Sequence, residues 1–173
     1  MSIRFAEGDV REMGRGAYGV RGITLAKGDR VVDMEIVDES ATILVIAEKG
    51  YGKRTGFPEF RKQSRGGKGV IAMRTGERNG RIVGAISVRD DDEILLTTAN
   101  GMMVRTAVKE ISIIGRATQG VRVHKLKEGD RVTSVAKVIP EVNGVGEKAE
   151  GTEAPEGAGA PEGVESPDSP EKV

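Results

Sequence analysis

Cysteine and tryptophan are both missing from this 173-residue chain, and histidine occurs once, at His124. No disulfide or thiolate metal site can form, and no pair of imidazoles can share a metal. Aromatic side chains are nearly as scarce, with three Phe and two Tyr, so the core must be built from Val, Ile, Leu and Met. That shortage also bears on partners. Proteins that hold single strands or read RNA stack bases on aromatic platforms, which this composition can hardly supply. The chain also lacks any apolar run near the roughly 18 residues a membrane span requires. The opening Met1-Ser2-Ile3-Arg4-Phe5-Ala6-Glu7 has no long apolar core of the kind a secretory signal carries. The expectation is a cytoplasmic protein with no membrane partner.

Charge is present in quantity but divided. Lys and Arg total 27, as do Asp and Glu. Residues 141–173 hold nine acidic groups against Lys148 and Lys172, a net of −7, which leaves +7 on residues 1–140. A basic body calls for a polyanionic partner, and an acidic tail is a competitor for it.

A repeat organises the body. Arg15-Gly16-Ala17-Tyr18-Gly19-Val20, Arg65-Gly66-Gly67-Lys68-Gly69-Val70 and Arg116-Ala117-Thr118-Gln119-Gly120-Val121 share Arg, three variable residues, then Gly-Val, at spacings of 50 and 51. Gly28-Asp29-Arg30-Val31, Asn79-Gly80-Arg81-Ile82 and Gly129-Asp130-Arg131-Val132 follow in the same register. So do Lys49-Gly50 leading to Arg54-Thr55 and Asn100-Gly101 leading to Arg105-Thr106. A period near fifty residues marks a repeat architecture.

Each unit has strand periodicity. Val32, Met34 and Ile36 alternate with Asp33 and Glu35, predicting a half-buried strand, while Ile43 to Ile46 and Ile94 to Leu96 predict buried ones. Asn79-Gly80 and Asn100-Gly101 predict tight hairpins. The fold expected is all-β, with about three four-stranded propeller-like blades over residues 1–140. Residues 1–10 correspond to the last strand of a preceding blade. Residues 141–173, rich in Gly, Pro, Glu and Ala, predict a disordered acidic tail.

No catalytic constellation or cofactor site emerges. Gly14-Arg15-Gly16-Ala17-Tyr18-Gly19 has the spacing of a dinucleotide fingerprint without the βαβ context, and Val70 stands where a phosphate loop needs Ser or Thr. Asp90-Asp91-Asp92 reads as a solvated loop rather than a metal site. Tyr18 and Tyr51 sit in glycine turns with no base beside them. What remains is the set of glycine turns bearing Arg and Lys, where backbone and cations together suit phosphate. Arg65 and Lys68, with Arg61 and Lys62 upstream and Arg15 and Arg116 as counterparts, are the foremost candidates.

Three long segments carry a family resemblance: Lys49 to Thr55, Thr75 to Gly80, and Glu110 to Val121. They closely resemble the C-terminal domain of bacterial DNA gyrase A, with a topoisomerase IV relative of similar pattern. The resemblance implies a β-pinwheel, usually of six blades, whose basic rim wraps duplex DNA, and of which residues 1–140 would be about the last three blades. The family's box, Gln-Arg-Arg-Gly-Gly-Lys-Gly, has its nearest counterpart at Gln63 to Gly69, where Ser64 replaces one Arg. DNA contacts are accordingly expected at Arg15, Lys53, Arg54, Arg61, Lys62, Arg65, Lys68, Arg78, Arg105 and Arg116. The implied function is non-catalytic binding and wrapping of duplex DNA as part of an ATP-hydrolysing type II topoisomerase, with the rest of gyrase A and, through it, gyrase B as partners. The alternative is an interaction module that self-associates through open blade edges.

Overall fold

The computed structural model describes residues 1–139, so the expected disordered tail, residues 141–173, lies outside the described residues. Seven strands form: β1 (Thr42–Ala47), β2 (Tyr51–Gly56), β3 (Ile82–Val88), β4 (Glu93–Thr98), β5 (Met103–Ala107), β6 (Val121–Arg122) and β7 (Val132–Val138). They make a four-stranded sheet in the order β3-β1-β2-β6 and a three-stranded sheet in the order β5-β4-β7. All pairing within both sheets is antiparallel.

The sequence repeat is also a repeat of register. Thr42 faces Gly56 and Val88 in the first sheet, and Glu93 faces Ala107 and Val138 in the second. Even the bulge recurs, between Ile46 and Ala47 in one sheet and Thr97 and Thr98 in the other. Single-turn 3-10 segments follow at Glu7–Asp9, Phe57–Glu59 and Val108–Glu110. The first sheet is assembled across units, because its β6 comes from the unit that also supplies β4, β5 and β7.

The apolar run of β1 is buried on both faces, as a continuous hydrophobic strand must be. Ile43, Val45 and Ala47 join Phe57, Phe60 and Met73 in one core. Leu44 and Ile46 join Ile94, Leu96, Val108 and Val132 in a second. In β4 the burial alternates instead, with Ile94, Leu96 and Thr98 inward and Leu95 half-buried. The first sheet therefore packs on both faces along β1.

Three expectations differ from the structure. Val32, Met34 and Ile36 do not form a half-buried strand: residues 10–41 contain no strand, and Met34 and Ile36 are 86% and 90% exposed. The reason lies in the register. Residues 31–37 are equivalent to β3, whose partner is β1, and among the described residues no β1-type strand pairs with them. The second difference is Asn79-Gly80, which closes only an isolated bridge between Gly76 and Gly80. Asn79 is fully buried there, accepting from the Gly76 N–H and donating to the carbonyls of Arg74 and Gln119. It serves as a tie between units rather than a strand hairpin. Third, the blades are not three four-stranded sheets, since the second sheet has three strands and the first unit contributes bridges only.

Those bridges recur one unit later. Ser2 pairs with Val70 and Arg4 with Lys62, in the positions that Gly52 with Val121 and Arg54 with Ile113 occupy one unit later.

Candidate nucleic-acid interface

The Arg-x-x-x-Gly-Val turn is where one unit crosses onto its predecessor. Gly69 and Gly120 have φ of 73° and 82°, a region in which a side chain is strained. Space is closed as well: a Cβ on Gly69 would run into the Ser2 carbonyl oxygen, and one on Gly120 would lie 2.8 Å from that of Gly52. These glycines are required by the crossing itself.

The arginines that open the turns also hold the crossing. Arg65 donates from Nη1 to the Arg21 carbonyl at 3.1 Å and from Nε to that of Asp9 at 2.8 Å. Arg116 donates from Nη1 to the Ile71 carbonyl at 2.6 Å. Arg21 and Ile71 are equivalent, each two residues past the marker glycine, so this is one clasp made twice. Both guanidiniums are half-buried, whereas Arg15 is exposed.

Lys53 and Arg54 sit deeper than their charge suggests. Lys53 has no exposed surface, and its Nζ donates to the Gly115 carbonyl at 2.8 Å and to that of Arg116. Burial, reinforced by the Arg116 charge, pushes its ammonium down to about 8. Arg54, 5% exposed, donates from Nε to the Ile111 carbonyl at 2.7 Å and pairs with Asp90. Arg4 pairs with Glu39 in the equivalent place one unit earlier. The structure thus gathers Lys53, Arg54 and Arg116 between units, with their donors directed at protein groups. Arg105, equivalent to Arg54, is exposed and bonded through Nε to Glu93 at 2.8 Å.

The other candidates lie on the surface. Arg15, Arg61, Lys62, Lys68 and Arg78 are exposed, and among the described residues none of them is in an ion pair. Arg61, Lys62 and Lys68 flank the single turn in which Arg65 is clasped. Arg78 stands over the Tyr51 ring, 5.0 Å from its centroid, with Arg122 at 5.5 Å and its Nη2 donating to the Tyr51 hydroxyl at 3.0 Å. The sequence pattern does not single out Arg122. Its one signal is that it follows a marker Gly-Val directly. Asp90 and Asp92 of the acidic triplet are spent on Arg54 and Lys137, and among the described residues no group of His, Asp and Glu is arranged to hold a metal. No described helix is long and apolar enough to cross a membrane.

Comparison with known proteins matches this architecture unit by unit. The profile of the DNA gyrase C-terminal domain, beta-propeller, matches residues 1–38, 41–89 and 92–139, and the last two segments begin fifty-one residues apart as the sheets do. The chain is 46% identical over 153 residues to the DNA gyrase A protein of Pseudomonas aeruginosa, covering 88% of this chain and 17% of that protein. It is 45% identical over 141 residues to the DNA gyrase A protein of Escherichia coli, covering 82% and 16%. The chain thus spans about a sixth of the length of these relatives. Among solved structures, a DNA gyrase A C-terminal domain aligns with a TM-score of 0.72 at 35% identity, covering 78% of this chain and 46% of that one. The C-terminal domain of a DNA topoisomerase IV aligns with a TM-score of 0.72 at 32% identity, covering 78% and 42%. With all three units matched and the propeller-like sheets in place, the chain belongs to the DNA gyrase C-terminal domain family.

Proposed function

We propose that this chain binds the backbone of duplex DNA and supports its wrapping, without catalysis of its own. The observation that carries this reading is the turn from Arg61 to Lys68, which offers three exposed cations with no carboxylate partner among the described residues. Exposed Arg15 and Arg78 extend the surface. Lys53, Arg54, Arg65 and Arg116 contribute indirectly, by holding the units at a fixed spacing so that the outer cations meet successive phosphates. Arg105 becomes available only if Glu93 releases it. Duplex rather than single strand is favoured because the five aromatic side chains, of which Tyr18 alone is fully exposed, make a poor platform for stacked bases.

Binding through phosphates releases counterions, so five to seven contacts give a slope of log affinity against log salt of about −4 to −6. Fluorescence anisotropy on a mixed-sequence duplex over a salt series, with and without residues 141–173, tests both halves of the proposal. No binding at low salt by either form overturns the DNA reading. Unchanged affinity on removal of the tail overturns its role as a competing polyanion. We further propose that the chain acts with the remainder of gyrase A and, through it, with gyrase B.

A second reading rests on the segment 31–37, which has the sequence position of a strand and no strand partner, with Met34 and Ile36 exposed. Met103 on the outer strand of the second sheet is 66% exposed. Open edges of this kind favour association with a second copy. Sedimentation that stays monomeric across a hundredfold or so range of concentration would remove this reading.

A further inference from the structure

Tyr51 interrupts the repeat. Its equivalents are Met1 and Met102, so the fold is served by a flexible apolar side chain at that position. In this unit alone the position carries an aromatic ring, which is buried, and two exposed guanidiniums converge on it. The equivalents of Arg122 are Arg21 and Ile71, so the full combination of residues arises once in three units.

The electrostatics of this group are unbalanced. Arg78 and Arg122 are like charges brought to one hydroxyl, and among the described residues neither is in an ion pair. The carboxylate of Glu48 accepts from the Arg81 N–H at 2.9 Å. The Glu77 carboxylate is in no ion pair among the described residues. Arg78, and then Arg122, donating toward the phenol oxygen, hold Tyr51 below the usual tyrosine range. Both guanidiniums are exposed, and a solvated cation gains little from the face of a ring. Gathering two cations without a carboxylate is better relieved by an anion than by the ring.

The donors suit a tetrahedral oxyanion. The Tyr51 oxygen accepts from Arg122, which leaves the hydroxyl proton free to be given to another acceptor. Each guanidinium keeps N–H groups in a planar fork matched to two phosphate oxygens. We propose that Arg78, Arg122 and the Tyr51 hydroxyl form a binding site for one phosphodiester of a nucleic-acid backbone. The inference rests on the duplex-binding reading and assigns it a specific contact.

The chain contains a built-in reporter. It has no tryptophan and only two tyrosines, and Tyr18 is fully exposed, so Y18F leaves Tyr51 as the sole phenol. An anion seated beside the hydroxyl opposes phenolate formation, and duplex or inorganic phosphate should therefore raise the Tyr51 ionisation midpoint by about half a unit or more, followed by phenolate absorbance. In parallel, R78Q and R122Q should each weaken duplex affinity about five- to tenfold and reduce the salt slope by about one. Y51F, which keeps the ring, should weaken affinity a few-fold with an unchanged slope. Thermal melts establish that each variant is folded, and R78K or R122K replaces one that is not. Duplex binding by the parent with unchanged affinity and slope in the Arg variants overturns the site. A midpoint that phosphate moves and duplex does not assigns the site to free phosphate and overturns the backbone contact. Failure of the parent to bind duplex at all overturns the broader reading instead.

Discussion

Residues 31–37 and 82–88 stand fifty-one positions apart, follow the same Arg-Val or Arg-Ile marker, and adopt different structures. The later stretch is β3, paired along its whole length with β1, and the earlier one has no strand pairing at all. The earlier stretch has the cleaner alternation of apolar and polar residues, so local pattern is not what decides. A strand in this position is completed by a partner about forty residues away in sequence. Burying a side chain such as Ile contributes about 1.5–3 kcal/mol, and that contribution exists only when the neighbouring layer is present. The first sheet likewise borrows β6 from the unit that supplies β4, β5 and β7.

If borrowing is what holds the units, the largest losses should come at the marker glycines where they cross. Gly120→Ala meets both the positive φ and the Gly52 carbonyl, and should cost more than about 3 kcal/mol in urea unfolding. Gly19→Ala meets the same region of φ, 79°, with nothing within 4 Å, and should cost only about 1–2 kcal/mol. Equal losses at both sites would mean that the crossing is not what the glycine serves.

A smaller effect is expected at Lys53. Lys53→Met leaves the Gly115 and Arg116 carbonyls without their donor and should cost about 1–3 kcal/mol. The effect depends on pH with a definite sign. Lys53 titrates at about 8 in the fold against 10.5 ordinarily, so within that window the unfolded chain holds more protons. Raising the pH from about 8 to about 10.5 therefore stabilises the parent relative to Lys53→Met. Urea midpoints of the two proteins that run parallel across the window would contradict the assignment.

The smallest effect belongs to the open segment. Ile36→Lys should change stability by no more than about 0.5 kcal/mol, because the side chain is already 90% exposed. A loss above about 1 kcal/mol would show that this segment is covered in solution.

Much of the fold is legible in the sequence. The fifty-residue period, the buried run of β1 and the correspondence of Arg4 with Arg54 all follow from hydrophobic pattern and marker spacing, which register preserves. The site is legible only in part. Arg61, Lys62 and Lys68 are exposed as their charge predicts, but Lys53 and Arg54 are buried, and no local feature says so. Their concealment depends on carbonyls about sixty residues away, at Ile111, Gly115 and Arg116. Val32, Met34 and Ile36 mislead for the converse reason, since alternation describes a strand that still needs a partner. Arg122 carries no local signal of its role because its meaning comes from Tyr51, 71 positions earlier.

The shared construction of the sheets has a consequence for how such chains can change length. The second sheet fits within one period, residues 93 to 138, but the first draws strands from residues 42 to 122 and reaches into the next. Excising a block of arbitrary size would join unlike positions and undo two sheets together. A crossover between equivalent points, such as Ala47 with Thr98, would instead splice a half-sheet onto its exact counterpart and preserve the bulge, the hairpin and the clasp. The unit of inheritance for this fold is therefore a length, one period, rather than any particular stretch of chain, and genes encoding it can gain or lose whole periods without revisiting the packing.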